Sequence, residues 1–416
     1  VQLALSHFTS IPRIVVAPLF LLLFPAFAAM PIPASSPMML FGILFGLVAL
    51  IAAYAIRHEA GPVYAIAAFL AVATEGVWSV DNVTRERLTT AMIIYAAFAL
   101  LFLAVPVIAR RLGRNVVSQW TMLVLILGSI GVLFFLSTSA VAQYALPALA
   151  ILLVVINVGA IAEARSRQNT ILAAASILLS WIVITIWCAN ALTPATLVAA
   201  LMLIGGFALL ALTGAVFIGR GRDGDASTTY LGLAGHLFLF AVAVQPSLAF
   251  PPWPLFTAMF VLDLAIGIAA LYLRRDRLMT AAMAASQIVL MAWAADAKAA
   301  PWPVVGFVAA IAVCAMALIW FRIDRRFTIA AIVSLFAGDL VVIIAGSVSE
   351  APLFVSLLVS HLVIGIAMLA VAWLTEGHDI ALAAMAFFAL AEVMFRPQTP
   401  AQHLGFAAAL YALFIV

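Results

Sequence analysis

Six ionisable residues stand inside otherwise apolar stretches of the chain, Glu75, His236, Asp263, Asp339, His361 and Glu392, and the polar Gln287 joins them. Carboxylate and imidazole groups can share protons once burial draws their titrations together, which is the chemistry of a proton relay or of a path for a small polar solute. An ionised Asp at mid-bilayer costs about 2.5–3.5 kcal/mol, so each such group is expected to face protein or a water-filled cavity rather than lipid. Their placement is ordered. His236 and Asp339 each follow Ala-Gly, in LAGHLFLFAV at 233–242 and FAGDLVVIIA at 336–345. Asp263 and His361 occupy matching places in LDLAIGIAALYL at 262–273 and SHLVIGIAMLAV at 360–371, where six of twelve positions are identical. Gln287, after Ser286, extends the first series, while Glu75 and Glu392 fall nearer the expected outer face. The same residue types can instead hydrogen-bond across helix interfaces and hold a bundle together. Both readings stay open at this level.

The elements that must position these groups follow from hydrophobic length. Crossing the hydrocarbon core as a helix takes about 20 mainly apolar residues, and no open sheet can satisfy its backbone there. Such runs occur at 14–30, 36–56, 61–80, 88–109, 118–138, 141–162, 169–190, 194–219, 229–247, 252–273, 278–297, 301–321, 327–347, 352–374, 379–395 and 402–416. They predict an all-α, polytopic transmembrane bundle of about 15–16 helices in a single multi-pass domain, 1–416. The first run also fits a signal peptide, with Arg13 before it and Ala26 to Ala28 as an A-x-A pattern. A retained helix is preferred because it completes a hairpin with its successor. Beginning at Val1 and ending inside an apolar run at Val416, the chain reads as a piece of a longer protein.

Loop charge sets an expected orientation. Fifteen of the 19 basic residues lie in Arg clusters after even-numbered runs, counting Arg13 with them; only Arg85, Arg87, Lys298 and Arg396 fall on the other side. The positive-inside rule makes the Arg-rich side cytoplasmic, in a bacterial inner membrane. Successive clusters begin at 57, 110, 165, 220, 274 and 322, which implies repeated helical hairpins of about 53 residues arranged as parallel repeats. Superposing the hairpin ending near Arg274 on the one ending near Glu376 should then bring Asp263 onto His361.

Composition excludes much else. The chain is 68% hydrophobic and 8% charged, against about a quarter charged for a soluble domain, so the lipid bilayer is its expected main partner. Other envelope membrane proteins are a further partner class. The net charge of +3 belongs to short loops and gives no case for nucleic acid. Cys188 and Cys314 read as small core hydrophobes, and no metal site or cofactor motif is present. Neither a phosphate-binding glycine loop, nor a zinc-protease helix, nor a nucleophile elbow occurs. Gly42 and Gly46 form one GxxxG, read as close local packing. Trp78, Trp120, Trp253, Trp302 and Trp373 are expected at the membrane interface.

The stretch EGVWSVDNVTRERLTTAMIIYAAFALLFLAVPVIARRLGR, from Glu75 to Arg114, combines an acid-Trp segment, a short polar turn, an apolar helix ending in LAVP and an Arg cluster. It resembles the bacterial predicted-membrane-protein family catalogued as domain of unknown function 2339, whose hairpin rhythm suits the rest of the chain. The resemblance implies a large multi-pass membrane protein and carries no activity or assigned site residue. Three functions are therefore expected in order: a transporter or flippase for a small or lipid-linked envelope component, a structural or assembly protein, and a membrane-embedded transferase. The last is weakest because the outer-side acids Asp81, Glu86, Asp296 and Glu350 are dispersed over short loops.

Overall fold

The computed structural model describes residues 19–114, 116, 119–138, 141–167, 170–219, 226–350, 353–394 and 399–414, and these are helices and short connections with no strand among them. They cluster into two compact units, Val1–Leu203 and Ile204–Val416. In the first lie α1 (Leu23–Ala28), α2 (Pro31–Ser35), α3 (Pro37–His58), α4 (Gly61–Asn82), α5 (Leu88–Arg111), α6 (Gln119–Thr138), α7 (Leu146–Arg167) and α8 (Ile171–Ala191). The division falls inside α9 (Leu197–Gly219). The second unit holds α10 (Ala226–Tyr230), α11 (Ala234–Ala243), α12 (Pro246–Ala249), α13 (Trp253–Leu273), α14 (Asp276–Ala294), α15 (Trp302–Ile323), α16 (Thr328–Val348), α17 (Phe354–Thr375), α18 (His378–Met394) and α19 (Pro400–Ala412).

Among the described residues eleven helices are long and apolar enough to cross a membrane: α3, α4, α5, α7, α8, α9, α13, α14, α15, α16 with its leading turn, and α17. Each matches an expected run to within a few residues. Their outward faces are apolar, with Met202 67%, Met39 70% and Trp373 80% exposed, a surface suited to lipid and costly in water. The chain is an integral, multi-pass membrane protein. The expected run at 118–138 is the 20-residue helix α6, the run at 229–247 gives the shorter apolar stretch Thr228–Ala243, and α18 and α19 have 17 and 13 residues. The run at 14–30 begins outside the described residues, as do Arg13, Arg220, Arg222 and Arg396.

Local chemistry explains the helix ends. The Pro-rich connections start helices: Pro254 and Pro303 sit in the first turns of α13 and α15, where the missing N–H has no partner to lose. Three helices end alike. Glu59, Arg274 and Glu376 take left-handed φ of 54°, 55° and 54° after α3, α13 and α17. The next residue's N–H returns to a small residue, Ala60 to Ala55, Arg275 to Ala270 and Gly377 to Ala372, at 3.0, 2.9 and 2.9 Å. That geometry turns the chain at once into the following helix.

Tryptophan fixes a second recurring contact. The indole N–H of Trp78 donates to the Ala34 carbonyl at 3.2 Å, that of Trp187 to Ala142 at 2.8 Å and that of Trp293 to Ala249 at 3.1 Å. All three rings are 0% exposed. Each draws a short connection, α2, the turn at 141–145 or α12, against the end of a long helix. Trp78 is thus a core clamp and not the interfacial anchor its position near a helix end implied, because its one polar atom is satisfied by protein. Trp253 and Trp373 are 57% and 80% exposed at helix ends, as expected of anchors, and the Trp120 side chain lies outside the described residues. The GxxxG expectation is also corrected. Among the described residues nothing comes within 4 Å of a Cβ placed at Gly42 or Gly46, so neither glycine serves a close contact with another described helix.

In the second unit α14 and α16 form the centre. Helix α14 packs on α11, α13, α15 and α16, and α16 packs on α14, α15, α17 and α18. A helix surrounded by protein can carry polar side chains inward at low cost, and α14 is the least hydropathic of the eleven spans.

Candidate functional site: buried His–Asp pairs

The second unit brings five of the seven candidates into its core and pairs them differently from the sequence matching. His236 on α11 meets Asp263 on α13, Nε2 to Oδ1 at 3.1 Å. Ser286 on α14 completes a triangle. Its Oγ lies 2.8 and 2.7 Å from the two Asp263 carboxylate oxygens and 3.0 Å from His236 Nε2. Exposure is 3% for His236 and 0% for Asp263 and Ser286. Asp263 and Ser286 share the same imidazole nitrogen, whereas a nucleophilic triad needs carboxylate and hydroxyl on opposite ring nitrogens. The cluster is therefore not arranged for acyl transfer. With Nε2–H donating to Asp263, the Nδ1 of His236 is left buried with no hydrogen-bond partner among the described residues.

A second pair joins the next helices with the order reversed. His361 on α17 donates through Nδ1 to Asp339 Oδ1 on α16 at 2.7 Å, with 1% and 0% exposure. The Phe406 ring stands perpendicular to the His361 ring with centroids 5.8 Å apart, and Asp339 Oδ2 has no partner among the described residues. Gln287, one residue after Ser286, faces a different neighbour. Its Nε2 lies 3.2 Å from the Ser334 carbonyl, 3.3 Å from Ser334 Oγ and 3.6 Å from Cys314 Sγ. Close approach here depends on Gly338, where a Cβ would fall 2.5 Å from Cys314 Sγ and 3.1 Å from Gln287 Nε2.

The expected equivalence of Asp263 and His361 holds less well than the residue match implied. Counted from the left-handed caps at Arg274 and Glu376, Asp263 lies 11 and His361 15 residues back, one helical turn apart. The matched glycines also meet different helices, Gly267 the Trp320 ring of α15 and Gly365 the Phe388 ring of α18.

The remaining two candidates stand elsewhere. Glu392 on α18 is half-buried, accepting from the Tyr411 hydroxyl at 3.0 Å with His403 Nε2 at 3.6 Å. Glu75 is in the first unit, 3% exposed on α4.

A search for ionisable groups alone missed a neutral counterpart in the first unit. Asn157 Nδ2 on α7 donates to Ser180 Oγ on α8 at 2.8 Å, and Ser176 Oγ donates to Asn157 Oδ1 at 2.9 Å. The spacing recurs. Asn157 and Ser180 are 23 residues apart, as are Asp263 and Ser286. Asn157 to Asp263, Ser180 to Ser286 and Trp187 to Trp293 are each 106 positions, about twice the expected hairpin interval. The signal was present in the sequence as one Asn in an apolar run and serines four apart on the next helix.

Among the described residues no group of three or more His, Cys, Asp and Glu is placed to hold a metal ion. A cavity of about 960 Å³ opens between α17 and α18 near Trp373, Glu376 and His378, and none of the paired residues lines it. No protein-family model, characterised protein or solved structure matches the chain.

Proposed function

We propose that the chain is a membrane transporter in which the His236–Asp263 and Asp339–His361 pairs carry a proton, either as the transported species or coupled to a small polar or lipid-linked solute. One observation carries the reading. The helix clamp that the first unit makes from neutral Asn157, Ser176 and Ser180 is made in the second unit from titratable groups. Clamping needs only neutral donors and acceptors, and an ionisable group in a membrane core is costly unless its titration is used. Reversal of the His and Asp between the two pairs places both a proton donor and a proton acceptor on α11–α13 and again on α16–α17. An Arg-rich cytoplasmic side and a bacterial inner-membrane location accompany this reading, as does an origin in repeated helix sets related to the family the sequence resembles.

The test is proton flux into liposomes holding the full chain, followed by an entrapped pH dye. Asp263→Asn and Asp339→Asn preserve shape and hydrogen bonding while abolishing titration. Loss of flux in both, with helical content and monodispersity unchanged, is the expected result. Flux equal to that of the unaltered chain in both variants overturns the proposal.

A structural or assembly role is the second reading. It is favoured by the enclosure of both pairs, whose four side chains are 0–3% exposed. Unchanged folding together with absent flux in the unaltered chain would select it.

A further inference from the structure

Among the described residues the first unit buries two glutamates to the same 3% exposure, and one of them has a counter-charge there. Glu163 on α7 is bonded by Arg110 of α5, Nη1 to Oε2 at 2.5 Å. Glu75 on α4 has no ion pair, and its Oε1 is enclosed without a hydrogen-bond partner among the described residues. We infer that Glu75 is a proton-binding site, its carboxyl occupied by a proton at neutral pH where Glu163 is satisfied by a cation.

The surroundings leave few alternatives. Helix α4 packs on α1, α3, α5 and α6 and on the short turn before α1. The turn, α1 and α6 contain no titratable residue. On α3 the titratable groups are Tyr54, Arg57 and His58, next to the start of α4; Glu75 is 14 residues beyond Gly61, about 21 Å along the axis. On α5 they are Tyr95, Arg110 and Arg111, with the arginines at the far end of the helix. On α4 itself they are Tyr64, near its start, and exposed Asp81. Tyr95 alone is near, its hydroxyl engaged with Ser79 Oγ. The cations of the following connection are also occupied. Arg87 Nη1 donates to Asn82 Oδ1 at 3.1 Å, and the Arg85 guanidinium lies 4.2 Å over the Tyr144 ring. With no cation at hand, a carboxylate here would be an unpaired buried charge, and the neutral acid removes it. The site does not depend on the His–Asp pairs, which belong to the other unit.

Infrared spectra of the full chain in lipid at neutral pH, compared between wild type and Glu75→Gln, read the protonation state directly. Loss of a protonated-carboxyl C=O band in the variant is expected; loss of a carboxylate band instead overturns the inference. Should Glu75→Gln not be recovered folded, dicyclohexylcarbodiimide on the wild type decides. A protonated carboxyl adds across one C=N bond, oxygen to carbon and proton to nitrogen, and acyl migration then gives a stable N-acylurea with no leaving group. Peptide mass spectrometry should place the adduct on Glu75 and not on Glu163. Adduct on Glu163 without Glu75, or on neither, refutes the site.

Discussion

Deleting one hydroxyl from each of two matched clamps measures whether the second unit's cluster carries charge. Ser286→Ala removes contacts of 2.8 and 2.7 Å to the Asp263 carboxylate and of 3.0 Å to His236, leaving a fully buried carboxylate with the imidazole as its one remaining donor in the cluster. Ser180→Ala, 106 positions earlier, removes one neutral interhelical bond of 2.8 Å from Asn157 and the hydroxyl's own-helix bond of 2.7 Å to the Ser176 carbonyl. There the amide keeps its other partners, since Nδ2 still donates to the Leu153 carbonyl at 2.8 Å and Oδ1 still accepts from Ser176 at 2.9 Å. Hydrogen bonds to charged groups contribute about 1.5–3 kcal/mol and neutral ones about 0.5–1.5 kcal/mol. Interhelical bonds in membrane proteins run lower, averaging about 0.6 kcal/mol with a maximum near 1.7 kcal/mol. Taking the low end of each range, Ser286→Ala should cost about 1.5–2 kcal/mol and Ser180→Ala about 0.5 kcal/mol. Reversible unfolding in mixed micelles at fixed lipid composition reads both. Equal costs, or a larger cost for Ser180→Ala, would falsify the charge-assisted reading of this clamp.

Two further outcomes follow from the same geometry. Trp→Phe at 78 or 293 keeps most of the ring but removes the indole donor of the buried Ala34 or Ala249 carbonyl, so each should lower stability by about 1–3 kcal/mol, while Trp187→Phe should cost less because the Ala142 carbonyl still accepts from the Ala145 N–H at 3.2 Å; the same unfolding measurement checks all three. Single cysteines at 111, 275 and 325, in a chain lacking Cys188 and Cys314, should label from the cytoplasmic side and those at 251 and 301 from the opposite side; labelling of 275 and 301 from one side would remove the hairpin topology.

The His–Asp pairs show what a linear reading of this chain can and cannot reach. Each of His236, Asp263, Gln287, Asp339 and His361 is conspicuous in sequence because a polar residue in an apolar run is rare and costly. Matching similar stretches set His236 beside Asp339 as equivalents, yet their partners are Asp263, 27 residues on, and His361, 22 residues on. Equivalence between copies and contact between neighbours are different relations, and similarity of residues reports only the first. Ser176, Ser180 and Ser334 went unmarked because hydroxyls enter lipid cheaply by bonding their own helix, as Ser180 does with the Ser176 carbonyl at 2.7 Å.

By itself the sequence determined the class of the protein, the bounds of its eleven long apolar helices, and the ends where arginine gathers. Those properties are local: hydrophobic length, proline at a helix start and charge in a short loop act within about 20 residues. The tertiary structure alone decided which face of each helix turns inward, that Trp78 is a clamp, that a Cβ at Gly42 or Gly46 would meet open space among the described residues, and that among them Glu163 has a cation while Glu75 has none. The reason is the solvent. In water an apolar stripe against a polar face tells which side of a helix is buried, but in lipid both sides are apolar and the 3.6-residue period fades, so helix rotation and partner choice are set by packing and by a few hydrogen bonds between residues far apart in the chain.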